Sequence, residues 1–410
     1  MNQEKPQLRK RGTPDFQLLI LTFLLVGFGL VMVFSASSSL TISSSKFNND
    51  PLYFTKKQFV WALLGTIVMF IAMNIHYSKY KKLFVPMFFV TVVMLAIVPF
   101  TKSVNGARSW LGVAGMGIQP TELAKITIIL YLSALIVKKG ERFRDLRTGY
   151  IPVMVIVGFV AGLIMMQPDL GSTMILVATS AIIIYAGGAS LKHMLASAAL
   201  LILGASLVLG ANYLIKSITH SDSAQEQSGS NYKMGRITAW IDPYQDEKGD
   251  GYNLIQSLTA IGNGQVTGAG FGKSIQKLNY IKNPYNDFIF PVMAEEFGFI
   301  GTSLFLLIYI YFIWRGILIA LRCTDPFGTL VGIGIMGLFA IQAFVNIGGV
   351  SQTIPLTGVT LPFISYGGTS LLIMMFSMGI MLSISRQVNL PAPQEVVKSV
   401  NIKRDYRRSV

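Results

Sequence analysis

In the stretch Lys277–Gly301, KLNYIKNPYNDFIFPVMAEEFGFIG, one carboxylate, Asp287, stands where a polar loop turns into an apolar helix. Lys277 and Lys282 flank it on the loop side. An aspartate there can cap a helix starting at Phe288, because its oxygens accept hydrogen bonds from the free backbone N–H groups of a first turn. It can equally work as a general base, with cations nearby to neutralise an anionic substrate. These residues alone leave both readings open.

Other polar residues stand inside or beside apolar runs, where charge is costly and therefore a candidate for function. In NGARSWLGVAGMGIQPTELAKI (105–126), Gln119-Pro120-Thr121-Glu122 opens a helix, with proline in its favoured first-turn position. Glu122 and Lys125 are three residues apart on one helical face and can pair to hold helices in register. The alternative is that Lys125 and Arg108 face a cavity and hold a phosphate. In Gln167-Pro168-Asp169-Leu170-Gly171, Asp169 can cap the helix that follows or support a site nearby. Glu295 and Glu296 fall about two turns into the helix after Asp287, roughly 12–14 Å below it by helical rise, a depth suited to contacts within a bundle. Gln342 and Asn346, one turn apart, read as hydrogen-bonding partners between helices.

Composition says what frame must hold these groups. Of 410 residues, 52% are hydrophobic and 13% charged, against about a quarter charged in a soluble chain, and the mean hydropathy is +0.55. The expected fold is an all-α polytopic membrane protein. Ten spans of about 20 residues are expected at 16–36, 58–75, 83–100, 121–137, 151–167, 170–187, 194–215, 288–314, 327–349 and 368–385. A short tail (1–15) precedes them, a basic tail (386–410) follows, and a large loop (216–286) parts the seventh span from the eighth. The net charge of +15 does not point to nucleic acid, because the basic residues gather in short loops. Lys79, Lys81, Lys82, the cluster Lys138–Arg147, Arg315 and Arg322 fall on the side of the N-terminal Lys5, Arg9, Lys10 and Arg11. Both termini are thus expected in the cytoplasm and the large loop outside. The apolar run Phe16–Phe34 exceeds the roughly 7–15 residues of a signal-peptide core and is expected to stay as the first span. A single cysteine, Cys323, excludes an intramolecular disulfide and a cysteine metal cluster, and His76, His193 and His220 lack metal-binding spacing.

The large loop carries its own signals. Leu254, Ile255, Leu258 and Ile261 recur at helical spacing, as in an interfacial helix. GNGQVTGAGFGKS (262–274) follows, whose glycines allow a backbone to approach a ligand closely. Its Gly272-Lys273-Ser274 end imitates a phosphate-binding loop. Thr267 stands where that motif needs its first glycine and no strand precedes it, so no nucleotide is expected. TIPLTGVTLPFISYGGTS (353–370), broken by Pro355, Pro362 and Gly367-Gly368, reads as a re-entrant wall, tolerable at membrane depth only under cover of protein or a wet cavity.

Taken in order, NGARSWLGV–IQPTELAK, QPDLGST, GYNLIQSLTAIGNG, NDFIFPVMAEEFGFIG and LPFISYGGTS resemble the SEDS family (shape, elongation, division and sporulation), represented by RodA, FtsW and SpoVE. The likeness runs from Asp15 to Arg386, and the TPDF opening, GLVMVFSASS and TGVTLPFISYGG lie nearer the FtsW/SpoVE branch. The resemblance implies a peptidoglycan glycosyltransferase that polymerises lipid II on the outer face of the cytoplasmic membrane, serving septal or other cell-wall synthesis. It gives Asp287 the catalytic role and marks Arg108, Glu122 and Lys125, within Gln119-Pro120-x-Glu122-x-x-Lys125, together with Asp169. It also implies a class B penicillin-binding transpeptidase partner within a divisome or elongation complex. One departure stands out: where the family usually reads L-P-E-P-H-T-D-F, this chain has Ile281-Lys282-Asn283-Pro284-Tyr285-Asn286-Asp287-Phe288, keeping the acid and replacing glutamate and histidine by Asn283 and Tyr285.

The expected chemistry needs little. A diphosphate is already a good leaving group, so one carboxylate suffices as base and cations suffice to hold the departing charge. Asp287 would take the proton from the acceptor sugar's 4-hydroxyl, which attacks the donor anomeric carbon with inversion. Arg108 and Lys125, with Lys273 or Lys277, would hold the diphosphate, and related lipid-diphosphate chemistry allows a divalent cation, Mg or Mn, whose ligands the sequence does not identify. Glu296 sits below as support. Two rivals remain. A lipid II flippase would use intramembrane Glu122, Lys125 and Glu296 as readily, although no inverted repeat is visible. A non-catalytic division scaffold would leave the outer carboxylates dispensable.

Overall fold

The structure, a computed structural model, describes residues 12–101, 109–112, 117–167, 169–200, 235–236, 238–246, 249–278 and 280–388. Its α-helices are α1 (Phe16–Ile42), α2 (Tyr53–Asn74), α3 (Tyr80–Ile97), α4 (Pro120–Lys139), α5 (Ile151–Met165), α6 (Leu170–Ala186), α7 (Asp250–Asn263), α8 (Ile289–Arg322), α9 (Pro326–Val350) and α10 (Gly368–Val388). Among the described residues, eight helical segments are long and apolar enough to cross a membrane, and Leu170–Ala186 is a shorter apolar helix. These stand at nine of the ten expected spans. The expected span 194–215 lies mostly outside the described residues, which are helical over 191–200.

Helix starts follow the sequence signals. Asp15 accepts from Leu18 N–H (2.9 Å) at the head of α1, and Asp325 caps α9 ahead of Pro326. Asp15 also pairs with Arg315 (2.6 Å), tying the start of α1 to the far end of α8. At its other end α1 runs past the expected residue 36 to Ile42. Ser35, Ser37 and Thr41 there are buried, so the helix continues as packing surface for the loops above.

α4, α9 and α10 form the centre: 78%, 72% and 78% of their most apolar stretches are buried, against 17% around α3. α2 lies along α10, α8 along α9, and α6 fits between α4 and α9. The apolar residues on the outer faces of α2, α3 and α8, such as Phe59, Phe89 and Leu307, are exposed, as a lipid-facing surface requires.

The large loop is folded against this bundle. α7 is the expected helix, but it does not lie free at the interface. It buries Gly251, Leu254, Ser257 and Ala260, spaced by three, and packs on α8 and α9. Ser257 donates to the Val350 carbonyl (2.6 Å) at the C-terminal end of α9. Of the expected apolar set only Leu254 is fully buried, because the small residues let α7 approach more closely than Ile255 or Leu258 would.

Residues 353–367 thread irregularly into the bundle. Leu361, Phe363 and Ile364 are buried, and Phe363 meets Phe339 and Phe312 edge-on at 5.1 and 5.7 Å. Helix-borne amides serve the exposed backbone groups of this stretch. Gln342 donates to Thr360 O (3.1 Å), Asn346 to Val359 O (2.7 Å), and Gln58 both donates to Ser365 O (3.3 Å) and accepts from Gly367 N–H (3.2 Å). Non-helical backbone survives at this depth because such partners replace water.

Candidate active site

Residues 281–288 make a compact turn. Asn283 takes φ 51°, a left-handed conformation that asparagine tolerates. It accepts at its carbonyl from Asn286 N–H (3.1 Å) and at Oδ1 from the Tyr285 hydroxyl (3.3 Å). Phe288, not Asp287, occupies the N-cap position of α8, and no side chain caps that helix. The Asp287 carboxylate is therefore not used for capping. Its main chain is held instead: Asn346 donates through Nδ2 to the carbonyls of Asp287 (2.8 Å) and Val359 (2.7 Å), stitching both irregular segments to α9.

Half-buried Asp287 opens on a cavity of about 350 Å³ lined by Arg236, Asn253, Lys282, Phe288 and Leu356 among others. Gly358 stands beside the two charged groups at φ +72°. A Cβ there would lie 3.5 Å from Arg236 Nη2 and 3.7 Å from Asp287 Oδ2, so this backbone sits against both charges. Arg236 donates to the Leu356 carbonyl (3.3 Å), and its segment is fastened by Trp240 donating to Gln352 O (3.0 Å) and Gln352 donating to Trp240 O (2.9 Å). Burial pushes the Asp287 carboxyl up to about 6; its own backbone N–H and the Arg236 charge pull the other way. Such a group is ionised at neutral pH yet more basic than an ordinary aspartate, which suits a general base.

Below the cavity, Lys125 is buried in a polar chain. It pairs with Glu122 (2.8 Å) and donates to Gln342 Oε1 (3.0 Å), while Ser370 donates to Glu122 (3.3 Å). This joins α4, α9 and α10 one helical turn beneath Asn346, and Lys125 does not line the Asp287 cavity. The geometry is that of the register-holding pair. Gln119 takes the N-cap position of α4 without a side-chain cap bond. Asp169 caps α6 by accepting from Ser172 N–H (2.9 Å). Next to it, a Cβ on Gly171 would meet Thr357 O at 3.0 Å, so the QPDLG motif lets α6 support the 357–359 wall.

α8 is interrupted at Gly298 (φ 64°, ψ −168°), and the glycine-rich loop docks on that break. Ala269 and Gly270 N–H donate to the carbonyls of Glu295 (2.9 Å) and Glu296 (3.0 Å), and Phe299 and Ile300 N–H donate to Gln265 O (2.8 Å) and Val266 O (3.1 Å). Gly268 (φ +79°) and Gly298 touch backbone to backbone and leave no room for a Cβ. The glycines expected to admit a ligand therefore admit α8 instead. The Glu295 carboxylate accepts from the Ser274 hydroxyl and from the N–H groups of Ile275 and Gln276 (3.2 Å each). Glu296 pairs with Lys277 (2.7 Å), whose ammonium also donates to Ser35 (3.0 Å) on α1.

The structure thus brings neither Lys273 nor Lys277 to the Asp287 cavity. Lys273 is exposed with its stem against Gly270, and Lys277 is buried with its counter-charge. Arg108 lies outside the described residues. The residue that sequence reasoning missed is Arg236, in KMGRITAW. A lone arginine near Trp240, ahead of an amphipathic helix, was the available signal, and only the fold places it opposite Asp287. Among the described residues no three His, Cys, Asp or Glu groups cluster. One carboxylate facing Arg236 and Lys282 is not a donor set that would hold a divalent cation by protein ligands.

The profile of the FtsW/RodA/SpoVE family, described as a cell cycle protein family, matches residues 16–390. The chain is 40% identical to the stage V sporulation protein E of Bacillus subtilis (strain 168), over 92% of this chain and 98% of that protein. It is 37% identical to a probable peptidoglycan glycosyltransferase FtsW of Trichlorobacter lovleyi, over 92% of this chain and 94% of the relative. In fold it is similar to a chain from a solved structure on the coordination of polymerization and crosslinking by a peptidoglycan synthase complex. That likeness has a TM-score of 0.72 at 24% identity and covers 92% of this chain and 99% of the other.

Proposed function

The chain belongs to the FtsW/RodA/SpoVE family, and from that premise we propose that it is a peptidoglycan glycosyltransferase polymerising lipid II at the outer face of the cytoplasmic membrane. The observation that carries the reading is Asp287. It is a carboxylate released from helix capping, its main chain is fixed by Asn346, and it is set in a cavity opposite Arg236. Asp287 takes the proton of the acceptor's 4-hydroxyl. The oxygen forms a bond to the donor anomeric carbon as the bond from that carbon to the diphosphate breaks, inverting the centre. The polyprenyl diphosphate leaves with its electron pair, and Arg236 and Lys282 balance its charge. Arg108 keeps the anion-holding part that the resemblance gives it. Lys125, Glu122 and Asp169 act through the frame. A divalent cation bound to the diphosphate would neutralise part of the same leaving charge.

The partner that fits this activity is a class B penicillin-binding transpeptidase within a cell-wall synthesis complex, with both termini of this chain in the cytoplasm. The test is polymerisation of purified lipid II by the detergent-solubilised protein, with and without the transpeptidase, beside Asp287→Asn. Glycan strands from wild type and none from the variant are expected. A fully active Asp287→Asn would refute the base, and silence from both with the partner shown to bind would shift the reading to a flippase or scaffold.

A further inference from the structure

Two residues before Asp287 the chain carries Tyr285, which is 7% exposed and does not line the cavity. Its ring stacks on Phe54 of α2, 4.1 Å between centroids and 28° between planes, and meets Tyr366 edge-on at 5.7 Å. Phe54 itself meets Tyr366 edge-on at 5.1 Å and Phe47 in a tilted contact at 5.2 Å. The main chain closes the same contact, Tyr366 N–H donating to the Tyr285 carbonyl at 2.9 Å. Phe54 heads a face of α2 that continues, at helical spacing, through Gln58 and Trp61. Gln58 holds the backbone of Ser365 and Gly367, and the Trp61 indole packs against Gly368.

We infer that Tyr285 is a positioning residue: its ring pins the Asp287 segment to α2 and to the 361–368 corner, and so fixes where the carboxylate stands in the cavity. The main chain is then held on both sides of the acid, by the Tyr285 ring and carbonyl before it and by Asn346 on its own carbonyl. The ring matters and the hydroxyl does not, because the hydroxyl's bond to Asn283 spans 3.3 Å and stays within the turn. A displaced base loses rate and not binding, since misplacing a reacting group by about 1 Å costs roughly a hundredfold.

The inference rests on the polymerase reading, and the experiment separates the two. Lipid II polymerisation is measured for wild type, Tyr285→Phe, Tyr285→Leu, Phe54→Leu and the double leucine variant, each first checked for monodisperse folding in detergent. Tyr285→Phe is expected within about twofold of wild type. Tyr285→Leu and Phe54→Leu each lose about ten- to a hundredfold in kcat with KM nearly unchanged, and the double variant loses no more than the worse single. Phe54→Leu leaves the 281–288 turn intact, so it decides the matter if Tyr285→Leu does not fold. Wild-type kcat in the leucine variants, an equal loss in Tyr285→Phe, or a rise in KM at unchanged kcat would each overturn the positioning role. A wild type silent even with the transpeptidase shown to bind would instead remove the polymerase reading and this inference with it.

Discussion

Lys277 tests whether the large loop's lysines serve the substrate or the frame. Its ammonium and the Glu296 carboxylate are 2.7 Å apart, with side chains 5% and 0% exposed. Removing one partner of such a pair strands a buried charge and costs about 3–5 kcal/mol. Lys277→Met keeps the length of the apolar stem, so nearly all of the loss is electrostatic. Glu296→Gln strands the lysine and should cost about as much. The double variant strands neither charge, and the amide that replaces the carboxylate can still accept from the Ser35 hydroxyl, which donates to Glu296 Oε1 at 2.5 Å, so it should recover all but about 1 kcal/mol. In a chain this long, a few kcal/mol lowers the melting temperature by roughly 5 °C. The buried Cys323, the protein's single cysteine, supplies the assay: a thiol-reactive fluorophore reads its exposure as the protein is heated in detergent. The expected pattern is two destabilised single variants, a rescued double and a KM for lipid II close to wild type in the double. If Lys277→Met melts like wild type while KM rises tenfold, the lysine binds diphosphate and the structural argument is wrong.

Two further outcomes follow from the cavity. Because the base must be ionised, kcat/KM should fall about tenfold per pH unit below the Asp287 value of about 6 and level off above it. The same group, raised in the folded state, favours folding most at low pH. Wild type should therefore lose stability between about pH 4 and 6, on the order of 1–2 kcal/mol for a partly buried acid, while Asp287→Asn stays flat in a pH-resolved melting series. Arg236→Gln should lower kcat/KM for lipid II about ten- to a hundredfold. It should also move the acid limb of the rate profile upward, since a cation that holds the carboxyl down is gone; an unmoved limb would separate Arg236 from Asp287.

Much of this architecture is legible in the sequence, because hydropathy is a signal about each segment by itself. The bounds of α4, α6 and α9 fall within a few residues of their apolar runs, and Asp169 sits at its cap as its residue type predicts. The relations between segments are not legible in this way. GNGQVTGAGFG looks like a ligand loop because close backbone approach has one sequence signature whatever approaches. Here the neighbour is α8, broken at Gly298. Lys277 and Lys282 look equivalent along the chain, yet five residues of turn send one to α1 and the other to the Asp287 cavity. Arg236 carries only a faint local mark, its place near Trp240; its meaning comes from Gly358, far along the chain, which lies against both it and Asp287.

The same geometry explains how a carboxylate can stand on irregular backbone and still be held in one place. Helices hold their own backbone groups, but a loop at membrane depth must find partners in side chains. Three residues on different turns, Gln58 of α2 and Gln342 and Asn346 of α9, supply amides that bond the 359–367 path, and Asn346 extends the same service to Asp287. The carboxylate is thus fixed by the rigid elements while its own segment stays non-helical, which leaves the cavity face free of helix packing. Below, Lys125 and Glu122 bind α4 to the Gln342 position, so the amide that orients the loop is itself oriented. Lys125 and Glu122 thus reach the loop only at this remove, through Gln342, which is how charges so deep in the bundle connect to the Asp287 segment without touching it.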